Sequence, residues 1–145
     1  MNNLILKPRS SFWLTRFFNI FGAKLMWTTI GKTIYYPDHI KNPYVYTDVI
    51  AHECVHLEQY KKYGTFGFLF LYAFVFFPVL GAYFRWKFER EAYLVQMKLS
   101  PVYKSNKKEN IEFFINEIVD ILWFRYGFVW PKPLMRKWFT KQLLK

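Results

Sequence analysis

Residues 63–84 read YGTFGFLFLYAFVFFPVLGAYF, and no charged side chain occurs between Lys62 and Arg85. As one continuous helix this run would measure ~33 Å, enough to span a hydrocarbon core ~30 Å thick. Basic residues flank both ends, which suits a membrane crossing. The same run also contains Gly67, Pro78 and Gly81. Pro78 breaks a helix and Gly81 lets the chain turn back, so the run can equally bend into a buried core or rest in one leaflet. These readings give different folds, and the neighbouring segments decide between them.

Upstream lies AHECVHLEQY, residues 51–60. The pattern is helical from about Tyr44 to Tyr63, with Thr47 or Asp48 near the start and Gly64 as the stop. Val45, Val49 and Ile50 feed an apolar side. His52 and His56 are at i and i+4, which puts both imidazoles on one face, a turn apart. Two ring nitrogens can then reach one zinc ion from a rigid platform. Glu53 projects about 100° round from His52, too far for an obvious third ligand but close enough to touch a metal-bound water. Zinc lowers the pKa of that water toward ~7, and the carboxylate takes its proton and later passes it to a leaving amine. This is the logic of the H-E-x-x-H pattern. Cys54 sits about 200° round from His52 and reads as a small buried apolar residue.

A catalytic zinc normally takes three protein ligands. His39, the only other histidine, lies upstream in a loop. Glu58 points away from the face of the pair. Glu109, Glu112, Asn116 and Asp120 recur at helical spacing opposite Phe114, Ile118 and Ile121, which describes a solvated stripe. What remains is FEREAY, with Glu89 and Glu91. A plain ion pair with Arg85 or Lys87 would account for either of them.

HECVH followed about thirty residues later by RWKFEREAY resembles the gluzincin class of zinc metallopeptidases. The nearest likeness is to the CAAX-prenyl-protease and HtpX-like group and to the minimal single-domain minigluzincins. It covers only residues 47–96. In that group an arginine and then E-x-x-A-D on a helix supply the third ligand from the first glutamate. Arg85 matches the arginine, Glu89 the ligand and Ala92 the small residue, while Tyr93 stands where the family has aspartate. The resemblance therefore implies a zinc site of His52, His56 and Glu89, a catalytic Glu53, and a zincin-like fold. In zincins an edge strand above the active-site helix holds an extended peptide. Thr33 to Tyr36 is one candidate for that strand; a hairpin that only caps the core is the other.

A shared zinc requires His56 and Glu89 to approach within ~5 Å, whereas a crossing at residues 63–84 would put them on opposite sides of the bilayer. The ligand set thus favours a bent core or interfacial segment. Elsewhere, SSFWLTRFFNIFG reads as a short helix stopped by Gly22, and KLMWTTIGKTIYYP as a hairpin turning at Ile30-Gly31-Lys32. RWKFEREAYLVQMKL reads as a helix ending before Pro101, and KENIEFFINEIVDILWFRYG as another ending at Gly127. The expected fold is α+β, predominantly α, in one domain over residues 1–145 with a basic amphipathic tail from about residue 131.

One cysteine excludes an intramolecular disulfide. The first apolar run is broken by Lys7, Pro8 and Arg9, a poor secretory signal, so a cytoplasmic location is expected, with membrane association as a further option. The formal charge of +11 favours anionic partners. No zinc-knuckle, helix-turn-helix or RNP-like signature accompanies it, so a nucleic-acid-binding module is the weakest reading. The expected partners are a peptide or protein substrate and an anionic membrane surface, on which the tail can lie unless its aromatics pack on the domain. The leading expectation is a zinc-dependent peptidase. Its rival is a basic membrane-associated protein whose histidines are structural.

Overall fold

The computed structural model of the chain describes residues 4–13, 26–73, 80–105, 107–125 and 130–144. Three strands come first: β1 (Ile5–Pro8), β2 (Thr28–Ile30) and β3 (Thr33–Tyr36). β2 and β3 form the expected antiparallel hairpin, with Thr29 opposite Ile34. Gly31 makes its turn at φ +60, a conformation that side chains rarely adopt. β1 adds to the far side of β3 in parallel, with Leu6 opposite Ile34. The sequence gives little sign of β1, because Ile5–Pro8 is short and ends in a charge and a proline. Most of the expected helix over SSFWLTRFFNIFG falls outside the described residues, and so does Gly22.

The order β1-β3-β2 corrects the expectation for Thr33 to Tyr36. β3 is the central strand and is paired on both sides, so it has no edge to offer a peptide. Among the described residues β2 is an edge strand, and it packs beside the helix that follows.

That helix, α1 (Thr47–Tyr63), carries the histidine pair and ends at Gly64, whose φ of +70 suits glycine. The apolar run does not continue it as one rod. Its first part is α2 (Thr65–Ala73), and α3 (Leu80–Leu99) begins within its last part. Pro78, the expected break point, lies outside the described residues. α1, α2 and α3 pack on one another, burying Tyr60, Phe68 and Phe88 between them. Among the described residues no helix is long and apolar enough to cross a membrane.

After α3, Ser100 caps the short α4 (Pro101–Lys104), accepting from the Tyr103 amide. α5 (Lys108–Arg125) buries Ile111, Ile115, Ile118, Val119 and Leu122, and exposes Glu109, Glu112, Glu117 and Asp120. The acidic stripe is as expected; Gly127 lies outside the described residues. The basic tail forms α6 (Lys132–Leu143). Met135, Phe139 and Leu143, spaced four apart, enter the same core as α5. Trp86 of α3 meets the Phe139 ring edge-on at 5.7 Å. The tail's apolar stripe is thus part of the core, so its aromatics pack on the domain. α3 belongs to both clusters, giving Phe88 to one and Trp86, Tyr93 and Met97 to the other.

Candidate metal centre

The i, i+4 spacing on α1 brings the His52 and His56 rings to 5.0 Å between centroids. Packing of α3 across α1 adds Glu89, which is 2% exposed. His52 Nε2 lies 3.6 Å from Glu89 Oε2, and His56 Nε2 lies 3.7 Å from Glu89 Oε1. One ligand atom from each of the three residues falls within 4.8 Å of the others. Of the two glutamates that the sequence leaves open, Glu89 is the one that lies beside the histidines. Glu91 is exposed and accepts a hydrogen bond from Gln59 Nε2 at 3.1 Å, outside the group.

Whether these residues fit a cation is tested by their unmet polar demand. Glu89 Oε2 is buried without a hydrogen bond. A buried carboxylate oxygen left bare is costly, and a cation between it and the two imidazoles removes that cost. Burial also holds the His52 imidazole below its ordinary range, against the opposing pull of Glu53 and Glu89. The neutral imidazole is the form that ligates a metal. The donor set, the distances and the bare oxygen agree.

Around the three residues stand groups that hold them in place. His56 Nδ1 shares a hydrogen bond of 2.9 Å with Gln59 Oε1, and Gln59 Nε2 donates to the Phe88 carbonyl at 3.1 Å. The oxygen of Gln59 accepts, so Nδ1 carries the proton and Nε2 is left for a ligand bond. Gln59 also ties α1 to α3 one residue before Glu89. Tyr72 Oη donates to Glu89 Oε1 at 2.5 Å. Arg85 lies over the Tyr72 ring at 4.8 Å and donates to the Tyr72 carbonyl at 3.2 Å. Arg85 therefore acts on Glu89 through Tyr72. Tyr93 sets its ring edge-on to His52 at 4.5 Å, packing where the resembled family has a carboxylate.

Glu53 is buried, and its Oε2 accepts from Thr29 Oγ1 at 2.6 Å. The same hydroxyl reaches the Glu53 carbonyl at 3.2 Å. The edge strand thus touches the carboxylate between the histidines. Cys54 is half-buried rather than buried, with burial pushing its thiol pKa up, and it takes no place among the ligand atoms. His39 is exposed in a turn.

Gln59 could have been found from sequence, because it shares the face of His56 at i+3. Thr29 and Tyr72 had no local signal: each comes from a different element and reaches the site only through packing. Comparison with protein-family models, curated proteins and solved structures finds no significant match to this chain.

Proposed function

We propose that this chain is a small zinc-dependent hydrolase acting on peptide bonds, with His52, His56 and Glu89 as metal ligands and Glu53 as general base and then acid. The observation that carries the reading is the buried His52–His56–Glu89 group, with a carboxylate oxygen left bare beside an imidazole nitrogen. Two nitrogens and one carboxylate are a donor set that suits zinc and leaves a position open. When bound, zinc supplies an acidified water and polarises the carbonyl to be cleaved.

The remaining work falls to the chain's own groups. Thr29 fixes Glu53 Oε2, leaving Oε1 to take a proton and return it to the departing amine nitrogen. Gln59 and Tyr72 hold His56 and Glu89 so that the ligand atoms converge. β2 is an edge strand among the described residues and its Thr29 side chain touches Glu53, so its main chain is the candidate to pair with an extended peptide. The likeness of HECVH and RWKFEREAY to gluzincins supports the same assignment of roles.

Metal analysis joined to a peptide-cleavage assay tests it. The wild type is expected to retain about one zinc per chain and to cleave peptides. Glu53→Gln should keep the metal and lose cleavage, and Glu89→Ala should lose both. Wild-type protein grown with zinc that contains none would remove the proposal.

A further inference from the structure

α2 carries no charged residue and is apolar around its whole circumference, apart from Thr65 and the hydroxyl of Tyr72. A helix of that kind belongs inside a core or against lipid. Its inner side meets the first condition: Phe68, Leu71 and Tyr72 pack against α1 and α3. Its outer side does not. Phe66 is 90% exposed, Leu69 40% and Phe70 58%, and they share one face at i, i+3 and i+4.

Exposed phenylalanines occur elsewhere, and charge distinguishes the two places. Phe113 and Phe124 stand exposed on α5 among Glu109, Glu112, Glu117 and Asp120, four of the ten acids in the chain. Glu112 pairs with Lys108 and Asp120 with Lys132, which leaves Glu109 and Glu117 to disfavour an anionic surface on that face. α2 has no acid, and exposed Lys61 and Lys62 stand at its junction with α1, Lys61 pairing with Glu58 at 2.6 Å. The whole chain carries +11. An exposed apolar face on a chain of net positive charge is complementary to a bilayer with acidic headgroups.

We propose that the outer face of α2 docks on an anionic phospholipid bilayer, with Phe66 and Leu69 entering the interface and the surrounding positive charge engaging the headgroups. α2 then serves the membrane without crossing it. Phe68 and Tyr72, on the inner side of the same helix, lie 6.1 and 6.5 Å from the His56 ring. The candidate metal centre is therefore separated from the docking face by about one helix diameter, roughly 10 Å. If the hydrolase reading holds, its substrates are chains at the bilayer surface; the docking itself does not depend on that reading.

The test is co-sedimentation of the full chain with vesicles of phosphatidylcholine alone and of phosphatidylcholine mixed with phosphatidylglycerol. Binding is expected to the mixed vesicles, to weaken as salt rises, and to survive chelator treatment. Phe66→Ser combined with Leu69→Ser should lower partitioning by about tenfold or more, whereas Phe113→Ser should leave it unchanged. Circular dichroism and metal content check that the double variant is folded. Should it not fold, Lys62→Glu provides an independent reading and is expected to weaken binding. Wild-type protein that stays in the supernatant at low salt would overturn the proposal. So would a folded double variant that sediments like the wild type, a Phe113→Ser loss of equal size, or Lys62→Glu binding that matches the wild type.

Discussion

The Thr29 hydroxyl donates to Glu53 Oε2 at 2.6 Å, coupling an edge strand to the carboxylate that sits between the two histidines. Hydrogen bonds to charged groups contribute about 1.5–3 kcal/mol. Under the proposed chemistry, Thr29→Val frees Glu53 to rotate without touching a ligand. Expected is a fall in kcat of about tenfold to a hundredfold, with metal content unchanged. Steady-state kinetics beside metal analysis check this, and unaltered kcat would show that the contact does not position the base.

Gln59 joins His56 Nδ1 to the Phe88 carbonyl. Gln59→Leu keeps the size and removes both links. Loss of such an outer partner weakens metal affinity by about 10–100-fold. A competitive titration with a zinc chelator measures the change. The same variant leaves the buried His56 Nδ1 without its partner, so a stability loss of about 1–3 kcal/mol is expected when the metal-free proteins are compared.

Tyr60 is buried and its hydroxyl pKa is pushed up to about 12, mainly by burial, against an ordinary 10.0. A folded-state value above the unfolded one means that the unfolded chain gives up its proton first as pH rises. The stabilisation is therefore complete below pH 10 and lost between pH 10 and about 12. Its size is on the order of 1–2 kcal/mol once solvent screening is allowed for. Urea unfolding across this range should show a steeper decline for the wild type than for Tyr60→Phe, which lacks the titrating group.

Phe139 is fully buried between the tail helix and Trp86. Phe139→Ala should cost about 3–5 kcal/mol, the range for truncating a buried aromatic. Denaturant unfolding gives the number. A loss below ~1 kcal/mol would mean that α6 is not part of the cooperative core.

Much of the candidate metal centre could be read from local spacing. The i, i+4 relation of His52 and His56 is a property of any helix, and α1 needed only a helical pattern and the stop at Gly64 to deliver it. The hairpin at Gly31 and the acidic stripe of α5 were legible for the same reason: each depends on near neighbours in the chain. The third candidate ligand was half legible, since position along the sequence narrowed the choice to two glutamates two residues apart and a resemblance selected between them.

The sequence by itself determined the helices α1 and α5, the hairpin, the paired imidazoles and the supply of positive charge, because periodicity, turn chemistry and composition act over a few residues. Only the tertiary structure decided that the apolar run contains separate helices α2 and α3, that Glu89 rather than Glu91 faces the histidines, and that the tail's stripe is buried. It alone placed Thr29 on Glu53 and Tyr72 on Glu89. Those outcomes rest on how helices and strands distant in sequence pack together. A helical pattern says which face is apolar, but not which surface will cover it.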